Sequence, residues 1–243
     1  MYRIKVRCQF KGNLRMYNVA IIGAGPAGIF SALEIVKLKP DWKVILIEKG
    51  QKIEKRICPI RNGAQKCVNC NKCGLLCGWG GAGAFSDGKL TLTPDVGGHL
   101  IDYMSRKDVE YYIDYADKLY LEHGATDEVF GTNLETFREI ERKAVLAELK
   151  LVHSPVRHLG TERSLDVLKH MQDYLTDKIT ILNNVTAKSL IVECEQVKGI
   201  VLDNGETIRA EHTIIAPGRE GADWLAHEFA KNKIGMVNNA VDV

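Results

Sequence analysis

Four cysteines, Cys67, Cys70, Cys73 and Cys77, stand within eleven positions, separated by two, two and three residues. A segment almost without side chains follows at once: GWGGAGAFSDGKL, Gly78 to Leu90. Thiolates are soft ligands, and two-residue gaps let successive sulfurs curl around one inorganic centre, so the run has the chemistry of a 4Fe-4S cluster or of a zinc site. A thiol–disulfide pair and plain reduced cysteines are the other readings of the same residues. Cys58, followed by Pro59, competes with Cys77 as fourth ligand. The chain has seven cysteines, an odd number, which argues against a secreted disulfide framework and for a cytoplasmic setting. Cys194 and Cys8 sit in strand-like patterns and are read as core residues.

A second constellation precedes the thiols. Gly23-Ala24-Gly25-Pro26-Ala27-Gly28 matches G-x-G-x-x-G, follows an apolar strand and opens a helix, and Glu48 stands twenty residues after its last glycine. Gly23 allows the tight turn, Gly25 lets backbone approach a pyrophosphate, and Gly28 lets helix and strand pack closely. The helix N-terminus supplies free N–H groups and the positive end of its dipole to the phosphates. Glu48 is placed to accept hydrogen bonds from both ribose hydroxyls, and its charge would repel a 2′-phosphate, which disfavours NADP. The fingerprint does not separate FAD from NAD.

The elements that must position these groups follow from periodicity. An apolar strand, Val19 to Ile22, leads into the glycine turn. The following helix has Ala27, Phe30, Leu33 and Leu38 among its apolar positions, and a buried strand, Val44 to Ile47, ends at Glu48. Together they form a β-α-β unit. Residues 50–100 show little periodicity and read as a long ordered loop, which in a compact domain usually serves function. Ser105 caps a helix running to about His123. A second helix uses Leu134, Phe137, Ile140, Ala144 and Leu149, and a third spans about Ser164 to Leu175. The period then changes to strands: KITILNN, AKSLIVEC, VKGIVLDNG and ETIRAEHTIIAPG, with Asn204-Gly205 as a hairpin turn. Residues 1–16 alternate like a half-buried strand or precede a true start at Met16. The organisation expected is therefore 17–243 as one α/β, Rossmann-like, doubly wound domain. It carries an insertion at about 50–155 with the Cys/Gly-rich loop and helices, and a small β-meander.

Composition narrows the function classes. The chain has 243 residues, 45% hydrophobic and 26% charged, with a net charge of +2. That balance gives no basis for nucleic-acid or membrane binding, and no apolar run reaches the roughly 18 residues of a membrane helix.

IIGAGPAG, ILIEKG and TIIAPGREG resemble, in order, three recurring segments of the glutathione-reductase-type FAD domain. CGWGGAGAFSDGKLTLT with APGREGADWL further resembles a group of predicted FAD-dependent dehydrogenases, NAD(P)/FAD-dependent oxidoreductases, from about Tyr17 to the C-terminus. The resemblance implies FAD as cofactor. It implies a site made of Gly23, Gly25, Pro26, Ala27, Gly28, Glu48, Lys49, Gly81, Gly83, Ser86, Val185, Ala216 and Gly218. Gly80, Gly81 and Gly83 would lie against the flat flavin ring, where a Cβ would collide. Ser86, Asp87 and Lys89 would hydrogen-bond flavin or substrate, and Val185 would touch adenine through its backbone. The other reading of the run is a glycine turn packed on the core.

Arg56 and Arg61 either reach the FAD phosphates or are solvated surface side chains, the preferred reading. His158, beside Arg157, is either an acid–base group or a loop histidine without chemistry, the latter preferred. No catalytic base is named.

The function expected is FAD-dependent oxidoreduction with a small-molecule or protein redox partner. The alternatives are a non-catalytic metal- or dinucleotide-binding module, half of a two-chain flavoprotein, and an NAD-binding dehydrogenase. Relatives of the resembled fold carry a late Gly-Asp segment. None follows Gly218, so a C-terminally truncated chain needing a partner chain or oligomer is expected.

Overall fold

The computed structural model describes residues 16–237. The expectations for residues 1–15, including the first strand pattern and Cys8, lie outside the described residues. At the centre is a six-stranded sheet in the order β5-β2-β1-β8-β7-β6. Its parallel half comprises β1 (Met16–Ile22), β2 (Val44–Glu48), β5 (Thr180–Asn183) and β8 (Thr207–Ile215). β7 (Gln196–Leu202) runs antiparallel to β8, and β6 (Ala187–Glu193) runs antiparallel to β7. The fold is Rossmann-like, α/β, with a mostly parallel sheet.

Alternation along β1 and β2 decides which layer each residue meets. Val19, Ile21, Val44 and Leu46 face one way, into a cluster with Ile29, Ala32 and Leu33 of α1 (Pro26–Leu38) and Val167, Met171 and Leu175 of α4 (Gly160–Thr176). Ala20, Ile22, Ile45 and Ile47 face the other way, into a cluster with Leu190, Ile200 and Leu202 of the meander. All five residues of β2 are buried, as a strand covered on both faces requires. Strand β8 joins the two halves: its start pairs with β7 and the rest with β1, overlapping at Arg209. The Asn204-Gly205 turn connects β7 to β8, with Gly205 at φ +85° and the Asn204 Oδ1 accepting from Glu206 N at 3.0 Å.

Several expectations shift. The buried stripe of α1 is Gly28, Ile29, Ala32 and Leu33, while Ala27 and Leu38 are exposed, because the helix presents the next face round to the sheet. Cys194 is no core residue: it lies exposed in the β6–β7 turn at φ +50°, past the end of the strand pattern. The third helix begins four residues earlier than its pattern, at Gly160.

The insertion holds more pairing than a loop. β3 (Lys89–Thr91) pairs antiparallel with β4 (Val156–His158), a long-range ladder that neither short segment announces. α2 (Arg106–Glu122) is N-capped by Ser105 and fastened by a bidentate pair from Arg157, Nε to Asp117 Oδ1 at 2.6 Å and Nη2 to Oδ2 at 2.7 Å. α3 (Leu134–Leu146) buries no side chain, and its expected apolar positions Leu134 and Ile140 are exposed. Leu149 lies beyond its end.

Candidate functional site

The glycines of the turn divide by what a side chain would meet. A Cβ at Gly23, which sits at φ +99°, would lie 2.1 Å from Ala216 O, and one at Gly28 would lie 1.9 Å from Gly23 O. Both are glycine because strand, turn and helix press together there. Gly25 is different. It is the N-cap of α1 in an ordinary extended conformation, φ −76° and ψ −178°, and a Cβ there would meet nothing within 4 Å. Gly83 likewise faces open space. Neither packing nor backbone geometry demands glycine at Gly25, and the space above it is open. Pro26 opens the helix, no side chain caps it, and no acid stands in its first turn, so its N-terminal amides face outward.

That open space is a cavity of ≈ 360 Å³. Its floor is the turn with Gly23, Gly25 and Pro26, and one wall is Glu48 and Lys49 at the end of β2. Gly81, Ala82 and Gly83 form a second wall. The strand ends close the rest, with Val185 after β5 and Ala216 and Gly218 after β8. Ten of the thirteen cofactor residues expected from the resemblance line it. The three that do not are Ala27, which is exposed, Gly28, which is consumed by helix–strand packing, and Ser86, which lines a neighbouring cavity.

Glu48 is buried, and its carboxylate is already engaged. Oε2 accepts from Ala24 N at 2.7 Å, while Oε1 accepts from Gly50 N at 2.7 Å and Gly78 N at 2.8 Å. With about two lone-pair sites per oxygen, one site on Oε2 remains. Glu48 thus ties the turn to the Cys/Gly loop, and by that count it can accept from one further donor. Beside it, Lys49 Nζ bridges to Glu220 Oε1 at 2.8 Å, and this hydrogen bond raises the ammonium's pKa.

The loop is pinned by residues whose role the sequence did not reveal. Arg56, expected at the surface, is buried. Its Nη1 donates to Trp79 O at 2.6 Å and Gly81 O at 2.7 Å, its Nη2 to Leu75 O at 2.9 Å, and its Nε to Gly74 O at 3.2 Å. The Phe85 ring lies 4.7 Å from the guanidinium carbon. Burial lowers its pKa, partly opposed by the charge of Glu48. Trp79 is wholly buried and donates from Nε1 to Leu168 O at 2.8 Å. Gly80 N donates to Ala24 O at 2.8 Å, so the loop docks directly on the glycine turn. Arg61 remains exposed, its guanidinium carbon 4.9 Å from the centre of the Phe85 ring. His158 is exposed on β4, its ring edge-on to Phe130.

The thiols do not converge. Cys67 and Cys70 are exposed, Cys58 and Cys73 half-buried and Cys77 buried. Among the described residues no three His, Cys, Asp or Glu side chains are grouped to hold a metal ion. The cluster and zinc expectations are corrected accordingly, because the loop is wound around Arg56 rather than around a metal. Cys77 instead lines the cavity, and burial, followed by the charge of Glu220, pushes its thiol up. Arg219, Glu220 and Trp224 also line the cavity and were not named as site residues, although they stand within the TIIAPGREG and APGREGADWL segments. No described helix is long and apolar enough to cross a membrane.

No family model matches the chain. A protein of Clostridium beijerinckii (strain ATCC 51743 / NCIMB 8052), named only as uncharacterized, is 32% identical over 124 residues. That match covers 50% of this chain and 22% of the relative. Among solved structures, 3-ketosteroid-Δ4-(5α)-dehydrogenase from Rhodococcus jostii RHA1 aligns over 84% of this chain and 46% of its own, with a TM-score of 0.51 at 13% identity. Glycine oxidase from Geobacillus kaustophilus aligns over 88% and 58%, with a TM-score of 0.48 at 15% identity. Both are oxidoreductases by name. At 13% identity the likeness to the dehydrogenase is one of fold, and the chain spans about half the length of either structure.

Proposed function

We propose that the chain forms the FAD-binding part of an FAD-dependent oxidoreductase. The observation that carries this reading is the open space above Gly25 and Gly83, two cavity glycines whose absent side chains relieve no clash within the protein. Such glycines admit a ligand to backbone contact, and their neighbours fit the parts of FAD. The uncapped N-terminus of α1 has the amides and the dipole for a diphosphate. The remaining acceptor site on Glu48 Oε2 suits one ribose hydroxyl, and the backbone at Val185 borders the end of the cavity beside it. Gly81 and Gly83, on either side of Ala82, offer bare main chain to a flat ring.

FAD held there would supply hydride and electron transfer between a donor and an acceptor. The chain's own part is to bind and orient: amides for the phosphates, one carboxylate oxygen for the ribose, and a glycine wall that excludes water from one face. The dehydrogenase whose fold the chain shares is an oxidoreductase by name, which supports the class of reaction and leaves donor, acceptor and any partner chain to experiment.

The test is a titration of purified protein with FAD and, separately, with NADH, followed by fluorescence. Saturable FAD binding, lost in Glu48→Lys, is expected. Binding of NADH with none of FAD would overturn the flavin reading in favour of a nicotinamide site.

A further inference from the structure

Behind the Gly81–Phe85 turn lies a second cavity of ≈ 190 Å³, on the sheet face covered by α1 and α4. Its wall is mostly apolar: Ile29 and Phe30 of α1, Leu168 and Met171 of α4, and Leu90 of β3. It adjoins the first cavity, since Pro26 and Gly83 line both. Three hydroxyl-bearing residues line it, Ser86, Ser164 and Tyr120, and the Ser86 Oγ donates to Gly83 O at 2.9 Å. Ser164 on α4 is only 5% exposed, and among the described residues its Oγ has no hydrogen-bond partner. Tyr120 on α2 packs its ring 5.8 Å from that of Phe30, and its hydroxyl likewise has no partner among the described residues. Burial raises the Tyr120 pKa, so the phenol stays a donor.

A serine inside a helix can bond back to the carbonyl four residues earlier. Ser164 forgoes that bond. The volume exceeds what a single water requires by about tenfold, and water filling it would wet an apolar wall. Lys89 at the rim brings no net charge, because its ammonium is paired with Asp87 Oδ2 at 2.7 Å.

We propose that this cavity binds the substrate of the flavin reaction, and that the substrate is a small, neutral, largely apolar molecule whose carbonyl or hydroxyl oxygen is held by Ser164 and Tyr120. The proposal rests on the FAD reading of the first cavity, which shares the glycine turn with it.

The experiment is ligand-observed saturation-transfer NMR with cyclohexanone and acetophenone on the FAD-saturated protein, its Ser164→Ala, Ser164→Leu and Tyr120→Phe variants, and the Gly25→Val variant without flavin. Binding to the parent protein is expected. It should weaken about 2- to 10-fold when either hydroxyl is removed, the worth of one neutral hydrogen bond. It should vanish in Ser164→Leu, where the side chain fills the cavity. FAD affinity should stay unchanged in all three cavity variants, and Gly25→Val should lose FAD yet keep the ketones. No transfer to the parent protein, or equal transfer in Ser164→Leu, would overturn the proposal. A parallel loss of FAD in Ser164→Leu would also overturn it, assigning the cavity to the flavin itself. Should Ser164→Leu fail to fold, Tyr120→Phe decides alone: undiminished ketone binding refutes the role of the hydroxyls.

Discussion

Replacing Gly25 separates binding from folding. The residue caps α1 with dihedrals open to every amino acid, and its Cβ would point into empty space. The stability cost of Gly25→Ala or Gly25→Val is therefore only the difference in capping preference, below about 1 kcal/mol. For a domain of this size that lowers Tm by no more than about 4 °C. The same Cβ occupies the space through which a diphosphate would approach the turn. A loss of FAD affinity of at least about 100-fold is expected, equivalent to about 2.7 kcal/mol.

Gly28→Ala is the control. Its Cβ would fall 1.9 Å from Gly23 O, so turn and helix must separate. An overpacking cost of about 3 kcal/mol lowers Tm by about 6–12 °C. Thermal unfolding by circular dichroism and an FAD titration on each variant give the two readouts. If Gly25→Val bound FAD as tightly as the parent protein, the glycine would serve no ligand and the reasoning would be refuted. An unfolded Gly25→Val would refute it differently, by showing that the space is needed by the protein.

Three further outcomes are expected. Glu48→Gln places an amide NH₂ among three backbone N–H donors, so at least one of the bonds from Ala24, Gly50 and Gly78 is lost at about 1.5–3 kcal/mol each; chemical denaturation that shows an unchanged midpoint would contradict this. Arg56→Met leaves the carbonyls of Gly74, Leu75, Trp79 and Gly81 without their donor, costing about 3 kcal/mol or more, and limited proteolysis should then cut between residues 57 and 80 first. Iodoacetamide at about pH 8 should label exposed Cys67 and Cys70 well before Cys77. Burial holds the Cys77 thiol protonated, so its labelling should rise only as pH climbs past the ordinary thiol range, and FAD should slow it further; mass spectrometry showing Cys77 modified first would contradict its placement.

The exposed apolar residues Leu134, Ile140, Val145 and Leu146 on α3 have no covering element among the described residues. They illustrate how periodicity locates a helix without locating its partner. The helix was legible from spacing; what its stripe packs on was not.

Other features divide the same way. The strand, glycine turn, helix and strand from Met16 to Glu48 are written in contiguous residues, because alternation, positive φ and helix entry are local properties that a short window contains. The Asn204-Gly205 turn belongs with them. Tertiary structure alone decided that Arg56, separated by 18 to 25 residues from the carbonyls it holds, is a buried hub and not a surface charge. It turned Cys77 from a metal ligand into a cavity wall, and it spent three of the four acceptor sites of Glu48 on backbone amides. In each case the residue type permits several partners, and only chain segments brought together by the core determine which partner is within reach.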